Sequence, residues 1–117
     1  MPHVVIENAP DLAEVVRGLA PFAERKDQQI LRLADLYLNR GGRAALLECV
    51  VIDTGVALSF FVLLAQRENQ ITVRLYPLTD PEKTDGVKRL LALIAVRIRE
   101  LVPASRFGKT NLQAFLP

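Results

Sequence analysis

Apolar residues recur along the chain with two different periods, and each period predicts a different element. The run Pro2-His3-Val4-Val5-Ile6-Glu7 is short and β-branched and is stopped by Asn8-Ala9-Pro10, which predicts an opening strand and a turn. Behind Asp11, a capping residue with Glu14 three positions on, Leu12, Val15, Val16 and Leu19 follow helical spacing. Pro21 should interrupt that helix, because proline lacks the backbone donor. From Phe22 to Asn39, Ile30, Leu33, Ala34, Tyr37 and Leu38 again keep a 3.6 period, which predicts more helix ended by Gly41-Gly42. Ala44 to Ile52 is almost continuously apolar, interrupted by Glu48, as in a strand covered on both faces. After the turn signal Asp53-Thr54-Gly55, Val56–Ala65 and Ile71–Leu78 predict a hairpin around the polar segment 66–70. Thr79-Asp80-Pro81-Glu82 offers a cap, an early proline and an early acid, and Leu90, Leu91, Ile94, Ile98 and Leu101 then line one helical face up to Pro103. The tail from Arg106 to Pro117 sets apolar anchors among polar residues, a pattern that predicts packing against the rest of the chain.

This order predicts one α/β (α+β) domain over residues 1–117: a two-layer sandwich of two β-α-β-like units, with a mixed sheet and two main helices on one face. The second sheet face is then left without cover. Because the strands at 44–52 and 56–65 are apolar on both sides, another copy of the chain is expected to cover it, so an oligomer is predicted.

Composition narrows the function classes. A chain of 117 residues, half of them hydrophobic, can bury a core without disulfide or metal staples. Cys49 is the only cysteine and lies in an apolar run, which excludes an internal disulfide, fits a reducing cytoplasmic compartment and marks a small core residue, not a nucleophile. Fifteen basic and thirteen acidic residues are scattered, and Arg97 and Arg99 do not share a helix face, so no nucleic-acid surface is expected. No signal peptide is expected, and the longest apolar stretch, Val56–Ala65, is too short for a membrane span. With one histidine and one cysteine no metal cluster is expected, and neither Gly41-Gly42 nor Gly108-Lys109-Thr110 has the spacing of a phosphate-cradling loop. His3, alone and without partners in sequence, reads as structural. Glu48 is a carboxylate in an apolar strand, which requires either a site or a partner across an interface.

Two segments carry a resemblance to a known family. Met1-Pro2-His3-Val4-Val5-Ile6-Glu7, with Asp11-Leu12 soon after, resembles the opening of the 5-carboxymethyl-2-hydroxymuconate isomerases, and Lys109-Thr110-Asn111-Leu112-Gln113-Ala114-Phe115 resembles their ending. These belong to the tautomerase superfamily. The resemblance implies a tautomerase-like homotrimer of β-α-β pairs that needs no cofactor and acts on a small unsaturated keto acid. In it the amine of Pro2, exposed by removal of Met1, is the catalytic base. It further implies arginines that hold the substrate carboxylate by charge-assisted bonds: Arg43, which falls near one family arginine, and Arg74 as a substitute for a second. That second arginine would align with about Thr79, where this chain has no cation. A free α-amine titrates near neutrality and can move a proton between two atoms of an enol, whereas a nitrogen still acylated by methionine cannot. The rival expectations are a non-catalytic oligomeric binding or scaffolding protein of the same fold, and an unrelated α/β dimer with chance similarity at its ends.

Overall fold

Tight turns, not crossovers, organise the chain. Thr54 and Gly55 both adopt positive φ, at 49° and 81°, the conformation of a two-residue hairpin turn. They join β4 (Ala44–Asp53) to β5 (Val56–Arg67). Asp27 at φ 54° turns β2 (Phe22–Lys26) into β3 (Gln29–Leu38), and Glu68 at φ 53° turns β5 into β6 (Gln70–Leu75). With β1 (His3–Glu7) and β7 (Arg106–Thr110) these strands complete one sheet in the order β2-β3-β4-β5-β6-β1-β7. The computed structural model describes residues 1–117. Two helices complete it: α1 (Leu12–Gly18), capped by Asp11, and α2 (Asp85–Leu101), capped by Thr84.

Every neighbouring pair of strands is antiparallel. The predicted mixed-sheet sandwich of β-α-β-like units, and with it the tautomerase-like architecture, is therefore corrected: the chain forms a seven-stranded antiparallel sheet curled into a half-barrel. A β-α-β unit needs parallel neighbours joined by a crossover. Here the long connections, through α1 and α2, leave β1 between β6 and β7, and it runs against both.

The helix expected over Phe22–Asn39 is instead the β2–β3 hairpin. On β3, Leu31 and Leu33 face the core, the register against β4 slips between Leu33 and Asp35, and Leu36 then packs on the same core. The bulge at Ala34 thus puts two stretches of period 2 one residue out of phase, and the resulting spacing imitates a helical one.

The concave side of the sheet holds the core. Val87, Leu90, Leu91, Ile94, Ala95 and Ile98 run along one face of α2 and are fully buried against β1, β3, β4 and β6. At the first turn of α2 the helix comes close to β4. A Cβ on Gly86 would lie 2.6 Å from Val51 Cγ1 and 2.8 Å from Asp53 Oδ2, and the same Asp53 oxygen accepts the Gly86 N–H at 3.1 Å. Gln66 secures α1. Its Oε1 accepts the Leu12 N–H at 2.7 Å, and its Nε2 donates to the carbonyls of Ala9 and Glu68. No helix covers the convex side, where Leu46, Val50, Ile52, Phe61 and Leu63 are only half-buried by their neighbours in the sheet. No helix is long and apolar enough to cross a membrane.

Candidate functional site

The two ends of the chain meet. Strand β7 pairs with β1, with Val4 opposite Thr110, so the tail that follows β7 lies across the first residues. Thr110 Oγ1 donates to the His3 carbonyl at 2.7 Å and accepts the Leu112 N–H at 3.0 Å, which turns the chain so that Asn111 faces the N-terminus. Asn111 then reads two backbone groups. Its Oδ1 accepts the His3 N–H at 3.0 Å and its Nδ2 donates to the Met1 carbonyl oxygen at 2.8 Å. His3 Nδ1 lies 3.0 Å from that same oxygen and donates to it in the tautomer protonated at Nδ1.

Pro2, buried by strand alternation on the helix side of the sheet, opens onto a cavity of about 310 Å³ beside this arrangement. Leu112 and Phe115 give it an apolar wall, and Lys83 and Lys88 bring two cations from the approach to α2 and its first turn. Lys83 is paired with Asp80. Lys88, half-buried, has no ion pair within the chain. The cavity therefore offers a small anion an apolar wall and an ion-pair-free cation at Lys88, while the Asn111 and His3 donors beside it are bonded to the Met1 carbonyl oxygen.

The two arginines expected to hold a carboxylate are elsewhere. Arg74 is level with His3 across the β1–β6 ladder, so it projects from the convex face, opposite to Pro2. Arg43 enters β4 at the far end of the sheet, where its guanidinium approaches the Gln66 carbonyl at 3.5 Å. It is three strands across and four residues along from Pro2, roughly 20 Å away at standard strand spacings. Within one chain the structure brings neither to Pro2.

Lys83, Lys88 and Asn111 were not singled out by sequence reasoning as site residues. Asn111 had a signal, since it lies in one of the two terminal segments that resemble the isomerases, and the structure places those segments in contact. The lysines had none, because only the docking of α2 beside β1 brings them there.

No protein-family model, curated protein or solved structure matches this chain. The terminal resemblance thus rests on its own residues.

The remaining reactive groups are engaged elsewhere. Burial pushes the Cys49 thiol up to about 12, and its Sγ donates to the Leu47 carbonyl at 3.4 Å, so it stays protonated and unreactive near neutral pH. On the convex face, the Tyr37 hydroxyl donates to Glu48 Oε1 at 3.0 Å, and this bond, with the nearby Asp35, raises the Tyr37 pKa above that of an ordinary tyrosine. No three histidine, cysteine or acidic side chains converge as a metal site.

Proposed function

We propose that the protein is a cofactor-free isomerase that shifts a proton within a small unsaturated keto acid, with the Pro2 amine, freed by removal of Met1, as general base. One observation carries this reading: an oxygen directly beside the Pro2 nitrogen, that of the Met1 carbonyl, is met by Asn111 Nδ2 and His3 Nδ1 next to two lysines.

In the freed protein the same donors receive the oxygen of an enol or ketone, and Lys88 binds the carboxylate. The Pro2 amine removes the enol hydroxyl proton while Asn111 steadies the developing oxyanion. The resulting ammonium then protonates the carbon end of the enolate, which gives the keto acid and restores the amine. Cations close to an amine favour its uncharged form, so the lysines would favour the unprotonated Pro2 that a general base requires. Their contact with the carboxylate replaces the role that the resemblance implied for Arg43 and Arg74. The lone reduced thiol of Cys49 suits a cytoplasmic setting for this chemistry.

The test is the ketonisation of phenylenolpyruvate by protein lacking Met1. Acceleration over buffer is expected, with Lys88→Ala raising KM more than it lowers kcat and Asn111→Ala lowering kcat. Rates equal to buffer would favour the second reading, a non-catalytic oligomeric binding module. That reading draws on the uncovered convex face and on the position of Arg43 and Arg74 away from Pro2.

A further inference from the structure

The convex face has an order of its own. Along the middle of the sheet β5 presents Phe61 and Leu63, which stand opposite Glu48 and Leu46 of β4. On the other side of β5, Leu63 stands opposite Arg74 of β6. Glu48 therefore lies on one side of an apolar centre and Arg74 on the other. Glu48 interrupts an otherwise apolar strand, and its only side-chain partner is the Tyr37 hydroxyl. Neither Glu48 nor Arg74 forms an ion pair within the chain. A half-buried carboxylate and an exposed guanidinium flanking an uncovered apolar patch describe an unfinished interface.

We propose that two copies of this chain stack their convex faces about a two-fold axis running along β5. Such an axis lays β4 of one copy over β6 of its partner and sets Phe61 and Leu63 against their own counterparts. Glu48 is level with Phe61 and Arg74 with Leu63, so Glu48 falls two residues along from the partner's Arg74, about 7 Å at strand spacing, a diagonal offset that the long arginine side chain spans. Two symmetry-related Glu48–Arg74 pairs flank the apolar centre. The occupant is a second copy because the face carries its own complement: the two-fold exchanges the acidic side for the basic one, as an isologous contact requires. The pairing makes a dimer, where the resemblance implied a trimer. Curvature limits contact to the three central strands, less than the roughly 800 Å² per partner of a standard interface, so the dimer forms in a concentration-dependent way. This inference does not rest on the chemistry at Pro2.

Sedimentation velocity on the full chain over about 1 to 200 µM tests it. The wild type is expected to pass from monomer to dimer. Glu48→Arg and Arg74→Glu are each expected to raise the dissociation constant at least tenfold, and the double swap to restore it. Leu63→Lys, on the same exposed face, should give a folded monomer by circular dichroism. A wild type that stays monomeric throughout, a trimer, or a double swap no tighter than the single variants overturns the proposal.

Discussion

The side-chain amide of Asn111 donates to the Met1 carbonyl at 2.8 Å while its oxygen accepts the His3 N–H at 3.0 Å, so one residue near the C-terminus spans the first peptide groups. Both bonds are exposed, and an exposed neutral hydrogen bond contributes about 0.5–1.5 kcal/mol. Asn111→Ala is expected to lower unfolding stability by about 1–2 kcal/mol by chemical denaturation. It should also raise hydrogen exchange at the His3 amide selectively.

Gly86 sets how closely α2 approaches β4. Helix propensity alone would make Gly86→Ala stabilising by about 1 kcal/mol. The added methyl would, however, enter the space of Val51 Cγ1, which is fully buried and cannot swing away, and of the Asp53 carboxylate that caps the helix. Overpacking of this kind costs about 1–3 kcal/mol, so the net expectation is a lower melting temperature. A melting temperature above wild type would show that the helix can shift outward freely.

Gln66 is one of the few buried polar side chains, and all its polar atoms are bonded. Gln66→Leu would strand the Leu12 N–H at the start of α1 and leave the Ala9 carbonyl without its side-chain donor. One unmet buried group costs about 1–3 kcal/mol, so a loss of roughly 3 kcal/mol is expected, with α1 losing exchange protection first.

The thiol of Cys49 is pushed up from 9.0 to about 12 chiefly by burial. In the unfolded chain it ionises above about pH 9, while in the folded chain it keeps its proton, so the unfolded state binds fewer protons. Stability is therefore fully present below pH 9 and falls as pH rises from 9 towards 12. Cys49→Val removes this slope, and denaturation of the two proteins at pH 8 and pH 10 should show a smaller loss for the variant. A thiol reagent should label the native protein only as fast as it opens.

Much of the local structure could be read from the chain. The β-branched start of β1 and the face of α2 from Leu90 to Ile98 follow their periods closely, and Asp53-Thr54-Gly55 and Asp11 act as the turn and cap their chemistry suggests. What failed was what depends on distant contacts. The bulge at Ala34 disguised β3, and Arg106–Thr110 became β7 with no apolar alternation, because its order comes from the β1 edge it joins. Thr79, expected to cap the long helix, instead accepts the Phe61 N–H from β5 and donates to the Tyr76 carbonyl, and Thr84 caps α2. Pro2 was legible as a candidate from its place behind Met1. Its neighbours Lys83 and Lys88, around the start of α2, and Asn111, after β7, come from two segments that only the sheet order brings together.

The proposed chemistry turns on the state of a single nitrogen, which the ketonisation rates of two forms of the protein differing only in Met1 expose. With Met1 removed, phenylenolpyruvate should ketonise well above the buffer rate. With Met1 retained, Pro2 is an amide and the rate should fall to that of buffer. Equal rates in the two forms would rule out Pro2 as the base.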